Sequence, residues 1–143
     1  MTRGEAVADD IQAYTRREFE ALHGIPPDRF CGLTADEMSR AIVAHDGGPR
    51  RPGDPVGYDP IGSPETRLGW LRDAFGPDAD VMAIRLRMQF FEGRVSEALA
   101  LDWSLDNEAF DRAVFDGLDR LYADLSADAR AVIAGSHSYS HMK

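Results

Sequence analysis

Between Asp78 and Ala100 the apolar residues Val81, Ile84, Met88, Phe91, Val95 and Leu99 recur at intervals of three, four and seven. Met82, Leu86 and Phe90 add a second apolar face. That period suits a helix and not a strand. A helix that is apolar on two faces belongs at the centre of a bundle. At ~1.5 Å per residue, about 22 residues reach roughly 33 Å, enough to cross a small domain. The expected element is therefore a long central helix over 78–100, capped by Asp78. Gly93 within it costs about 1 kcal/mol relative to Ala, and leaves room for another helix to approach.

The remaining segments are punctuated as helices. Thr2 and Glu5 have capping-box spacing, and Val7, Ile11, Tyr14, Phe19 and Leu22 follow as a stripe that Gly24 and Pro26-Pro27 stop. Thr34 and Glu37 repeat the capping box, with Leu33 and Met38 placed as a hydrophobic staple. The helix they open runs to about His45 and ends at Gly47-Gly48-Pro49. Ser63 caps a third helix with Pro64 at its first position, and Leu68, Leu71 and Phe75 form its stripe before Gly76. A fifth over 106–124 carries Phe110, Val114, Leu118, Leu121 and Leu125. A short sixth starts at Ser126, carries Val132 and Ile133, and is expected to end at Gly135. No useful stretch alternates with period two. The expected fold is a single all-α domain, 1–143, of five to six helices.

Segment 47–64, GGPRRPGDPVGYDPIGSP, interrupts this pattern. Ten of its 18 residues are Gly or Pro. Prolines fix φ and lower the entropy lost on ordering, and Val56, Tyr58 and Ile61 offer anchors. An ordered loop is expected, of a length that is often functional.

Composition narrows the functional classes. Hydrophobic residues make up 43% and charged residues 29%, which supports a packed core and argues against disorder. The net charge of −9 is spread along the chain and excludes a broad basic nucleic-acid face. It suits solubility or attraction to a basic partner. Fifteen of the 16 basic residues are Arg, which reads as high-GC bacterial codon bias. No run spans a membrane and no secretory signal opens the chain, so a cytoplasmic location is expected. Cys31 is the only cysteine, so no internal disulfide or cysteine-built zinc site can form. No motif implies a cofactor or a metal.

Several residues have a functional reading beside a structural one. Arg50 and Arg51, next to Gly47-Gly48, suit a carboxylate or phosphate, or are solvated loop arginines. His45 with Asp46 suggests acid–base work, although neighbours on an α-helix do not face each other; His45 also suits the dipole at a helix end. Tyr58 is either an interface aromatic or a packed one. Glu20-x-x-His23 is half of a di-iron motif with no second half. His137 and His141 have i, i+4 spacing in what reads as a frayed or docked tail. The acidic group Asp102, Asp106, Asn107, Glu108 and Asp111 lacks EF-hand spacing and suits a helix N-terminus. Trp70 and Trp103 suit core, rim or pocket.

The stretch Ile11-Gln12-Ala13-Tyr14-Thr15-Arg16-Arg17-Glu18-Phe19-Glu20-Ala21-Leu22 resembles the first helix of the colicin/pyocin nuclease immunity proteins. The order that follows is similar: acidic Asp36 and Glu37 on a second helix, a turn at Pro52-Gly53, then Tyr58-Asp59-Pro60, and a helix opening at Ser63-Pro64. Those proteins are small, acidic and helical, and they block a DNase toxin. The resemblance implies toxin contacts at Asp36, Glu37, Asp54 and Tyr58. It departs from the family in having one aromatic where two adjacent ones are usual, and in Arg50 and Arg51 near the acidic face. Residues 78–143 lie outside it.

Two functional classes follow. One is a non-catalytic protein that binds a protein partner, in its sharpest form an inhibitor of a basic toxin. The other is a small helical enzyme or ligand-binding protein, with His45, Arg50, Arg51 and Tyr58 facing a pocket beneath the 47–64 loop near Trp70. A homodimer is also expected, because short neighbouring helices leave apolar surface on 78–100 uncovered.

Overall fold

A computed structural model describes residues 24–50 and 53–142. The expected helix over 2–22, the Glu20/His23 pair and Arg51 lie outside the described residues. The chain is all-α, with five α-helices and no strand among those residues. We number them α1 (Ala35–Ile42), α2 (Pro64–Phe75), α3 (Val81–Leu99), α4 (Asn107–Leu121) and α5 (Ala127–Met142). None is long and apolar enough to cross a membrane.

The start signals act as their chemistry predicts. The Thr34 side chain accepts from Glu37 N–H at 3.0 Å, and Glu37 Oε1 accepts from Thr34 N–H at 2.9 Å, completing the capping box of α1. Ser63 Oγ accepts from Thr66 N–H with Pro64 at the head of α2. Gly76, at φ 98°, ends α2 in a conformation that favours glycine. For α3 the cap is Asp80, whose carboxylate accepts from Ala83 N–H, and not Asp78. Asp106 caps α4 in the same way.

Two elements depart from expectation. After Ile42 the helix widens into a π turn over Val43–Gly47 before the backbone leaves at Gly48. Helix α5 does not stop at Gly135 but continues to Met142. A glycine ends a helix when it turns left-handed; Gly135 instead stays helical, and its bare face receives the backbone of Tyr58. A Cβ there would lie 3.1 Å from the Tyr58 Cβ and 3.2 Å from its N. The His137/His141 tail is thus docked helix. The His141 ring stacks on Phe110 with centroids 4.0 Å apart. Its Nδ1 pairs with Asn107 Oδ1 at 2.8 Å and its Nε2 with Leu105 O at 2.9 Å.

Every described helix feeds one core. Met38 and Ile42 of α1, Leu71 of α2, Met88, Phe91 and Val95 of α3, Phe110, Val114 and Leu118 of α4, and Val132 of α5 are all buried. Helices α4 and α5 form the most extensive pair, while α3 packs on α1, α2 and α4. The second apolar face of α3 is only partly covered, and Met82 is exposed. Gly93 meets nothing within 4 Å of a would-be Cβ among the described residues, so no described helix approaches it there.

The segment before α1 is held by arginines. Arg87 Nη1 donates to Cys31 O at 3.0 Å, and Arg94 Nη1 donates to Asp28 O at 2.9 Å. Arg29 pairs with Asp124 at 2.6 Å and lies over the Tyr122 ring. Cys31 is fully buried with φ 55°, an unusual backbone for a residue with a side chain.

Candidate functional site

The π turn aims two polar side chains inward. His45 and Asp46 are both buried. His45 Nδ1 lies 2.6 Å from Asp46 Oδ1. Sequence neighbours on an α-helix cannot meet this way, so the structure corrects that expectation; the wider π turn is where the pairing occurs. Such turns recur at functional sites. A carboxylate only accepts, so Nδ1 carries the hydrogen. His45 Nε2 is buried with no hydrogen-bond partner.

Glu92 of α3 meets the same pair. Burial pushes its carboxyl well above the usual range, and a hydrogen bond to Asp46 pushes it further. Burial also pushes Asp46 upward, but hydrogen bonds with His45 and Glu92, and the charge of Arg67, overcome this and hold it below its ordinary value. The two carboxyls are therefore pushed in opposite directions, Glu92 upward and Asp46 downward. Like charges that close favour a shared proton over two anions.

Arg67 of α2 closes the arrangement from above. Its Nη1 donates to His45 O at 2.7 Å, its Nε donates to Gly62 O at 2.9 Å, and its Nη2 donates to Asp59 O. Asp59 N–H donates to Asp46 O at 2.7 Å, and Asp59 Oδ1 accepts from Ile61 N–H at 2.7 Å. The guanidinium also lies near the Tyr58 and Trp70 rings, 5.8 and 5.7 Å from their centroids. Trp70 sits between two glycines: a Cβ on Gly48 or Gly62 would fall 3.1 or 2.7 Å from its ring. Residues 59–62 of the loop are thereby stitched to the π turn and to α2 through backbone carbonyls.

The expected site residues are thus distributed over different places. His45 faces the interior with Asp46. Tyr58 packs on Tyr139, with centroids 5.7 Å apart, and on Gly135. Arg50 is exposed, donates to Asp54 O at 3.3 Å and lies 3.8 Å from Asp128. None of His45, Arg50 and Tyr58 lines the two grooves described below. Glu37 is engaged in its cap, while Asp36 is exposed and pairs with Arg40 at 3.2 Å. Arg67 and Glu92 were not singled out from sequence. Both were legible as charged residues on apolar stripes: Arg67 is one turn before Leu71, and Glu92 lies between Met88 and Val95.

On the outer side of the π turn, Ala44 and Gly48 line two adjoining grooves. One, of about 340 Å³, runs between α1, α2 and the start of α5 and is edged by Asp36, Arg40 and Asp128 over Val43 and Ala74. The other, of about 280 Å³, adds Pro49, Trp70 and Asp73. Among the described residues no three His, Cys, Asp or Glu side chains are grouped to hold a metal ion. Comparison with protein-family models, with curated proteins and with solved structures found no match.

Proposed function

We propose that this chain is a non-catalytic binding protein for a basic protein partner, in its sharpest form an immunity- or antitoxin-like inhibitor. The observation that carries this reading is the groove beside the π turn. It combines an apolar floor at Val43, Ala44 and Ala74 with exposed carboxylates at Asp36, Asp73 and Asp128. The chain as a whole has a charge of −9. Asp36 and Asp128 pair with Arg40 and Arg50 in exposed contacts worth little energy, which a cationic partner can exchange.

The test is stopped-flow association with a panel of catalytically disabled DNase domains of the colicin type, at low and at physiological salt. Asp36→Arg and Asp128→Arg are each expected to slow association about tenfold and to flatten its salt dependence. Unchanged rates remove the groove from the interface, and no binding by any domain refutes the inhibitor form.

One observation favours the second reading, a ligand-binding protein or enzyme. The Asp46–His45 pair with an unpartnered Nε2 is how an oriented base is built. Native mass spectrometry of untagged protein distinguishes the two. A stoichiometric small adduct, lost on denaturation and absent from His45→Ala, supports this reading, and bare mass in both counts against it.

A further inference from the structure

Arg40 shows how the surface beside the π turn holds a guanidinium. Its planar group lies over the Phe75 ring, 4.6 Å from the centroid, while Nε pairs with Asp36 Oδ2 at 3.2 Å. An aromatic face and a carboxylate thus share one cation at the edge of the larger groove. The smaller groove repeats both parts: Trp70 and Asp73 of α2 line it together, and residues three apart on a helix share a face. Among the described residues no arginine completes this second set. Asp73 is exposed and makes no hydrogen bond or ion pair there. Arg67 lies 5.7 Å from the Trp70 centroid, but it is buried and its donors are committed to three carbonyls. We propose that the smaller groove seats an arginine side chain of the protein partner, with its guanidinium on Trp70 and paired with Asp73.

A guanidinium suits this groove better than the other common anchors. It is planar and weakly hydrated, so it stacks on an indole face while its fork pairs with a carboxylate. Its apolar stem matches a floor of Ala44, Ala74 and Pro49. A lysine ammonium is a strongly hydrated point charge and gives up more water on entering such a slot. An apolar side chain fills the slot but covers Asp73 without pairing it, which costs desolvation. The groove, of about 280 Å³, is shaped in advance, because Trp70 is wedged between Gly48 and Gly62. The larger groove adjoins it through Ala44, Gly48 and Ala74 and carries Asp36 and Asp128, so a segment lying across both meets three carboxylates.

The arginine seat rests on the binding reading above and names the side chain that the groove recognises. The rim charge alone calls for a basic partner, whereas Trp70 beside Asp73 calls for arginine.

The experiment titrates the full isotope-labelled chain with the peptide acetyl-Ala-Leu-Arg-Leu-Ala-amide at low salt, followed by NMR, and repeats this with the lysine and citrulline counterparts. The arginine peptide is expected to shift the Trp70 indole and Asp73 amide resonances to saturation, with Trp103→Phe assigning the indole. The lysine peptide should bind about threefold more weakly and the uncharged citrulline peptide about tenfold more weakly. Asp73→Asn, a change at an exposed side chain, should weaken the arginine peptide about fivefold and narrow its lead over citrulline. The proposal is overturned if arginine and citrulline peptides bind alike, if Asp73→Asn changes nothing, or if millimolar peptide shifts neither resonance. It is also overturned if the Trp70 shifts follow protein concentration and not peptide, which gives the seat to a second copy of this chain. Association with the DNase domains is a separate result. If Asp36→Arg slows it while the peptides bind alike, the partner reading stands and the arginine seat falls. If the peptides behave as expected and no domain binds, the seat stands and the inhibitor form falls.

Discussion

Gly135 and Tyr58 touch backbone to backbone: a methyl group on the glycine would stand 3.1 Å from the Tyr58 Cβ. A glycine in the middle of a helix costs about 1 kcal/mol relative to alanine, and here the close approach outweighs that cost. Tyr58 cannot step aside easily, because Asp59 next to it is tied to Asp46 and Arg67. Gly135→Ala is therefore expected to destabilise the fold despite its better helix propensity. Gly93→Ala, at an open position in α3, is expected to stabilise it by about 0.5–1 kcal/mol. Urea denaturation of the two variants side by side checks the opposite signs.

Arg67 satisfies three carbonyls with one planar group. Each carbonyl left buried and unpaired costs about 1–3 kcal/mol, with imperfect additivity. Arg67→Ala should thus cost about 3 kcal/mol or more. Arg67→Lys should recover little of this, because a single ammonium cannot reproduce the fork. Equal stability of the Lys variant and the parent in urea would show that charge, and not geometry, holds the loop.

Glu92 and Asp46 give opposite pH dependences. Glu92 keeps its proton in the fold after the unfolded chain has released it. Its contribution is fully present below the unfolded carboxyl value and is lost as pH rises through its raised folded value. Asp46 is held low, so its contribution is present above the unfolded value and lost as pH falls through its folded value. Thermal melts across pH should show stability declining toward alkaline pH in the parent. Glu92→Gln should flatten that decline and leave the acid limb in place.

The capping box of α1 is a local test of the same reasoning. Thr34→Ala should cost about 1 kcal/mol at neutral pH. The amide and hydroxyl of Thr34 hold Glu37 below its ordinary value. Its share of the cap is thus present above the unfolded value and lost in acid. The difference between Thr34→Ala and the parent, measured by chemical denaturation, should narrow as Glu37 is protonated.

These particulars show how much the sequence disclosed. Local chemistry was legible: Thr34, Ser63, Gly76 and Asp106 mark helix ends where the backbone turns. The apolar period named the core side chains, because burial and period share one cause. The site was legible only in part. His45 and Asp46 were singled out, but their pairing depends on the π turn, which leaves no local signature. Gly135 reads as a stop until Tyr58, far away in sequence, is seen to need its bare face. Arg67 and Glu92 are set by tertiary partners, and the apolar stripes they interrupt were their trace in the sequence.

Cys31 offers one last consequence. Its thiol is fully enclosed, and Arg87 holds its carbonyl from α3. A thiol reagent in solution can reach it only during moments when the segment lifts away. The rate of modification under native conditions is therefore a clock for those excursions. Slow labelling, with the kinetics of global unfolding, would mean that this segment and the core open together. Faster labelling would mark it as a door that moves on its own hinge.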